Sequence, residues 1–196
     1  MENTIAEETG NQQTGEWSAD SLNRLSRKEL FELFHSLPAP TMAEMDGEYR
    51  ASVIHHGSAI YRLLSALTVA NPFLEGTWLN KSFQPFDKSY GHGYNTFKKF
   101  NKTIRKYPMK TSIGRSRYDG QPIYQLDYTA FATTLGRINM VDEIRKLDST
   151  HFLGIGTAGF TAKQRQIPMP FLLVGPYQGF VGTDKTYREK QPRFTQ

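Results

Sequence analysis

From Gly76 onward the sequence breaks into short runs of alternating polar and apolar residues, separated by glycine and proline at the intervals of an antiparallel meander or barrel. The expected strands are 77–83, 93–100, 107–118, 121–131, 139–147, 152–159 and 171–175. This pattern constrains the fold more than any other feature of the chain, because a period of two cannot be satisfied by helices. At 196 residues with 38% hydrophobic and 13% aromatic side chains, there is enough apolar material for one sizeable core and too little chain for two large domains.

The segment before Gly76 reads differently. Residues 1–17 are polar and are expected to form a disordered tail. Residues 18–72 are expected to be a helical segment with one short strand, packed on the barrel. Ser26-Arg-Lys-Glu29 is a capping box, and Leu30, Leu33, Phe34 and Leu37 follow at the spacing of one helical face until Pro38 and Pro40 stop the helix. Gly47 to Ile54 reads as the strand. A second amphipathic helix is expected from about Ser58, with Ile60, Leu63, Leu64 and Leu67 on one face. The barrel then spans 73–182, and a basic tail 183–196.

Arg117-Tyr-Asp119-Gly120-Gln-Pro122 carries the clearest turn signal, since Asp-Gly between alternating runs favours positive φ at a tight turn. Pairing Tyr118 with Gln121 sets Arg115 opposite Tyr124, Ile113 opposite Leu126 and Thr111 opposite Tyr128. That face is the apolar one and is expected to look inward, taking Arg115 with it. In the next hairpin Met140 and Ile144 share a face with Asp142, whereas Val141 and Leu147 share one with Glu143 and Arg145. Either choice carries charge inward. Gly154 and Gly156 strip side chains from one face of the following strand, for close packing or for a ligand.

Gly76-Thr-Trp78 resembles the Gly-x-Trp opening of lipocalin and calycin barrels, and the chain is more closely similar to bacterial lipocalin-like proteins of the Gly-x-Trp-x-Gly type, whose function is uncertain. The following order, a Tyr-Asp-Gly hairpin, then Val141-Asp-Glu-Ile-Arg-Lys-Leu-Asp148, then Phe152-Leu-Gly-Ile-Gly156, is also similar. Asn80 departs from the pattern, which has a second glycine there. The resemblance implies a closed or nearly closed antiparallel barrel, lipocalin-like, whose lumen takes an apolar small molecule and whose matching tryptophan is structural.

Several classes of function are excluded or disfavoured. With no cysteine there is no disulfide framework, thiolate site or cysteine nucleophile, and a reducing, cytoplasmic setting is expected. No Gly-x-Ser-x-Gly elbow occurs, and Gly154-Ile-Gly156-Thr-Ala-Gly159 lacks the helix that a dinucleotide fingerprint needs. His55-His56 has no carboxylate at ligand spacing, so neither metal nor cofactor is expected. No apolar run is long enough for a membrane span. The net charge is +5, but residues 1–40 hold three basic and seven acidic residues, leaving 21 and 12 for the remainder. Lys98 to Arg117 holds eight basic residues and no acidic one. A solvated basic face explains it better than a nucleic-acid site, because no matching recognition motif accompanies it.

The expected function is therefore binding of a small hydrophobic, anionic molecule in the lumen, with Ile113, Arg115, Tyr124, Leu126 and Tyr128 as contacts and Arg115 fixing a carboxylate or enolate. The alternative is an isomerase or cyclase using His92, Asp142 or Glu143 for proton transfer. A nucleic-acid-binding barrel is the third reading.

Overall fold

The computed structural model describes residues 17–54 and 76–190. Residues 1–16 of the expected tail, the helix near Ser58 and His55-His56 lie outside these, while Trp17 packs against the outer apolar cluster. Eight strands follow one another around a closed barrel: β1 (Gly47–Val53), β2 (Thr77–Pro85), β3 (Tyr90–Lys99), β4 (Lys102–Arg115), β5 (Pro122–Asp127), β6 (Val141–Lys146), β7 (His151–Thr157) and β8 (Met169–Gln178). Each pairs antiparallel with its successor, and β8 returns to β1 through Ala51↔Leu173 and Val53↔Phe171. Closure leaves no open sheet edge.

The short strand expected in the helical segment is thus the first strand of the barrel, and the barrel runs from Gly47 to Gln178 rather than over 73–182. Parity requires it. In an up-and-down meander of seven strands the first and last point the same way, and only an eighth lets the ring close antiparallel. Gly76-Thr-Trp78 accordingly opens β2, and Gly47-Glu-Tyr49 stands at the start of the first strand. The basic run is also strand: β4 begins at Lys102, not Tyr107, and Pro108 is accommodated where the β3–β4 register shifts between Gly93 and Asn95.

One set of side chains fills the barrel. Tyr49, Phe83, Met109, Tyr124, Leu126, Tyr128, Ile144, Phe152 and Leu173 form its buried centre. The two alternating glycines on β7 serve that packing. A Cβ on Gly154 would stand 2.1 Å from the Phe171 ring, and one on Gly156 would stand 2.8 Å from Asp142 Oδ1. Gly154→Ala is therefore expected to destabilise the protein by about 1–3 kcal/mol through overpacking. Chemical denaturation of this variant with and without Phe171→Leu checks it; a cost that the smaller residue does not relieve would refute the assignment.

A second apolar layer lies outside. Helices α1 (Ala19–Asn23) and α2 (Arg27–Ser36) pack Leu22, Leu30 and Phe34 on Ile123, Leu153, Ile155 and Leu172, which project from the outer face of β5, β7 and β8. The capping box forms as expected: Ser26 Oγ accepts from Glu29 N at 3.2 Å, and Glu29 accepts from Ser26 N at 2.7 Å. Arg145, outward on β6 and 1% exposed, ties this layer down. Its guanidinium donates to the carbonyls of Phe34 and His35, both at 2.9 Å, and to both oxygens of Asp119 at 2.7 and 2.9 Å.

Residues 38–46 cross the end of the barrel where β1 begins, and bury Met42 and Met45 in the same core as Tyr49 and Phe152. Lys146 holds this crossing twice, its backbone N–H donating to Pro38 O at 2.9 Å and its ammonium to Glu44. The Lys146 hydrogen bond, then the backbone and hydroxyl of Thr41, lower the Glu44 carboxyl from 4.5 to about 2. A carboxyl depressed on folding contributes stability above its unfolded value and loses it as pH falls toward the folded one. Stability that Glu44→Gln lacks should therefore disappear from the wild type between about pH 4.5 and pH 2. Stability–pH curves of the two proteins are expected to converge in that window; curves that stay parallel through it would refute the linkage.

Candidate functional site

The two ends of the barrel are not equivalent. At the end where residues 38–46 cross, the inward side chains of Tyr49, Phe83, Tyr124 and Phe152 are 1% exposed or less, and the crossing seals them. At the opposite end, where β2 begins, Ala51, Trp78, Leu135 and Met140 are only half-buried against the same core, alongside Phe97, Tyr107 and Phe171. Leu135 comes from α3 (Thr134–Arg137), a single turn in the β5–β6 connection, capped by Thr133. Trp78 meets Phe171 edge-on at 5.8 Å.

Beneath these apolar side chains lies a polar floor. Lys81, 2% exposed, projects inward from β2 and places Nζ 2.8 Å from Asp142 Oδ2 and 3.1 Å from Asn95 Oδ1, in hydrogen-bond contact with the Tyr128 hydroxyl. Asn95 Nδ2 donates to the same hydroxyl at 3.0 Å, and Trp78 Nε1 donates to Asn95 Oδ1 at 3.1 Å. The rings of Trp78, Tyr128 and Phe171 each lie 5.1 Å from the ammonium, adding cation–π attraction on three sides. Burial pulls the Lys81 amine below its ordinary range, against the opposing pull of Asp142. Burial and then the Asp142 charge push the Tyr128 phenol well up. Asp142 Oδ1 is buried and has no hydrogen-bond partner; it packs over Gly156, where a side chain would collide with it.

Strand parity brings these groups together. Tyr49↔Lys81↔Asn95 and Leu126↔Asp142↔Gly156 are two rows of paired residues on the inner wall, and the shift between Trp78 and Asn80 lets Trp78 and Lys81 face the lumen together. Of the residues expected from sequence, Asp142, Tyr124, Leu126 and Tyr128 lie in the interior. Ile113 and Arg115 do not. The observed pairs are Thr111↔Leu126, Ile113↔Tyr124 and Arg115↔Pro122, two residues off the expected register. The turn takes up six residues, closed by Ser116 N donating to Gln121 O and Gly120 N to Ser116 O, both at 2.9 Å. Asp119 is drawn to Arg145 and Tyr118 to Phe31, ring to ring at 5.3 Å, so neither continues the ladder. Ile113 and Arg115 are exposed in the last residues of β4 before the turn, where Arg115 donates to Gly120 O.

His92 and Glu143 lie outside the lumen as well. His92 faces outward, stacked on Phe180 at 4.9 Å with its Nε2 3.1 Å from Gln84 Oε1. Glu143 sits on the outer wall, accepting from Ser116 Oγ at 2.6 Å and from Arg117 N and Nε at 2.9 and 3.0 Å. Lys81 and Asn95 were not expected. The signal for Lys81 was available: it is two residues from Phe83, hence on the same face of its strand. Among the described residues no group of three or more His, Asp or Glu side chains could hold a metal ion, and no helix is long and apolar enough to cross a membrane.

No protein-family model matches the sequence, and no curated protein is significantly similar to it. Among solved structures, a protein from Thermomonospora curvata aligns over 79% of this chain and 90% of its own, at 15% identity and a TM-score of 0.53. The odorant-binding protein from bovine nasal mucosa aligns over 73% of this chain and 76% of its own at 15% identity, with a TM-score of 0.36. A second bovine odorant-binding protein structure, complexed with its natural ligand, gives 14% identity over 72% and 74%, with a TM-score of 0.33. An eight-stranded up-and-down antiparallel barrel whose last strand pairs with its first is a lipocalin-like barrel, and that is the class to which the fold assigns this chain.

Proposed function

We propose that the chain binds a small, largely apolar molecule in the Trp78 end of the barrel, and that the molecule presents one hydrogen-bond donor, such as a hydroxyl, to Asp142. The observation that carries this reading is the buried, unpartnered Asp142 Oδ1 at the foot of an apolar wall. An unsatisfied buried acceptor costs about 1–3 kcal/mol, a deficit that a ligand donor removes. Apolar walls with one or two orienting polar groups are the usual make-up of a ligand site. Tyr128 lies at the floor, with Tyr124 and Leu126 deeper in the interior. Arg115 is exposed at the end of β4, so an anionic ligand held by it does not fit this site; a neutral donor does. The lack of cysteine supports binding inside the cell.

One observation favours a second reading, proton transfer on the bound molecule. Lys81 Nζ, the Tyr128 hydroxyl and Asp142 Oδ2 touch one another, and burial draws the amine and the phenol in opposite directions. Of the three acid–base candidates read from sequence, Asp142 faces the lumen, whereas His92 and Glu143 lie on the outer wall.

Native mass spectrometry of protein purified from its own cells, followed by organic extraction, tests the binding. One equivalent of an apolar molecule bearing a hydroxyl or amide N–H is expected, and it should be lost from Ala51→Phe, which fills the half-buried mouth. A molecule retained equally by that variant would place binding elsewhere. Deuterium entering a carbon position of the molecule from heavy water, retained after return to ordinary water and absent without the protein, would establish the second reading.

A further inference from the structure

Three described connections form the rim at the Trp78 end: the β3–β4 turn, the β5–β6 connection with α3, and the β7–β8 loop with its 3-10 turn Gln164–Gln166. Residues 98–103, 129–140 and 158–168 include Lys98, Lys99, Lys102, Arg137, Lys163 and Arg165 and no aspartate or glutamate. The opposite rim differs, because Asp46, Asp87, Asp119 and Asp148 occur in its connections. Exposed large apolar residues occur at both ends, but only at the Trp78 end do the connections that carry them hold basic residues and no acidic one, with Glu189 approaching from the C-terminal segment, where it bridges Phe131 and pairs with Lys110: Phe100 is 79% exposed, Phe160 71% and Ile167 42%.

Phe100 is presented at a local backbone cost, and Phe160 by a hydrogen-bonded turn. Phe100 occupies the first of two turn positions between Lys99 and Lys102 with φ 52°, a left-handed conformation that suits glycine or asparagine. Phe160 is fixed from both sides, its N–H donating to Gln164 Oε1 at 2.9 Å and its carbonyl accepting from Arg165 Nη1 at 3.1 Å. An apolar ring held in water in a strained or braced turn has no role in the fold.

We propose that this rim seats the barrel on an anionic lipid bilayer, with Phe100, Phe160 and Ile167 entering the interface and the lysines and arginines meeting lipid headgroups. Charge selects the surface, and exposed side chains that include an isoleucine favour a hydrocarbon interface over stacked bases. The seat surrounds the lumen mouth, but it stands or falls independently of what the lumen holds.

Flotation of the full chain with vesicles of phosphatidylcholine alone, and of equimolar phosphatidylcholine and phosphatidylserine, tests it. Binding is expected only to the anionic vesicles. Phe100→Asn suits the backbone and should fold at least as well, yet together with Phe160→Ser it is expected to weaken binding about tenfold or more. Lys98→Glu with Lys102→Glu should weaken it at least fivefold per lysine, since each basic residue near such a surface contributes about that factor. Lys28→Glu, a charge reversal on α2, should leave it unaltered. Absence of binding, equal binding to neutral vesicles, equal loss with Lys28→Glu, or binding to a single-stranded oligonucleotide in place of the vesicles would each overturn the proposal.

Discussion

Asp142→Ala is expected to lower the unfolding free energy by about 3–5 kcal/mol, the largest effect of any change at the lumen floor. The reason is what remains behind. Lys81 is 3% exposed at its side chain, and Asp142 is its partner at 2.8 Å, so the substitution leaves an ammonium inside the barrel with only Asn95, the Tyr128 hydroxyl and three ring faces to hold it. None of these carries a compensating charge. Removing both charges as Lys81→Met with Asp142→Leu is expected to cost less than half as much, because a buried pair replaced by apolar groups of similar shape leaves no orphaned ion. Urea denaturation of Lys81→Met, Asp142→Leu and the double closes the cycle. A double variant as unstable as the sum of the singles would mean that the two residues act independently, and the ion pair would then not be the organising feature of the floor.

The second large effect is expected outside the barrel. Arg145→Ala removes a bidentate bond to Asp119, both hydrogen bonds to the last carbonyls of α2, and the guanidinium 4.8 Å from the Phe34 ring. It should cost about 3–5 kcal/mol, and Arg145→Lys should recover little of it, because a lysine has neither the planar fork nor the reach to serve three acceptors at once. The loss is expected to appear first as faster amide exchange in α2 and in the 116–121 turn, the two pieces that Arg145 joins. Protection that falls evenly over the whole barrel would contradict that role.

These two residues also explain where sequence reasoning stopped. Alternation alone indicates which residues of β6 share a face but not which face is inside, and the strand carries charge on both. It is buried on both. Asp142 and Ile144 face the lumen, while Glu143 and Arg145 lie on the outer wall, under α2 and against the 116–121 turn. The helix and its capping box were legible because they depend on residues within one turn of each other. The antiparallel barrel was legible from the repeated period of two. The β4–β5 register was not, since it is set by Arg145 and Phe31 drawing Asp119 and Tyr118 out of the ladder, contacts between residues far apart in sequence. Alternation indicates that Ile113 and Arg115 share a side, and the two-residue shift leaves both exposed at the end of β4. The inward lysine cannot be read from Trp78, because the bulge at β2 sets the two on one face at an odd separation.

The central claim, that the Trp78 end admits an apolar molecule with a single donor, is tested most directly by tryptophan emission. The chain has two tryptophans, so Trp17→Phe leaves Trp78 as the sole reporter. Titration with a series of straight-chain 1-alkanols is expected to shift that emission saturably, with affinity rising about fourfold per added methylene as each is buried, until the cavity is filled. The matching carboxylates should bind more weakly, because they bring a charge to Asp142 and offer it no hydrogen. An emission that never responds, or an affinity independent of chain length, would contradict the account.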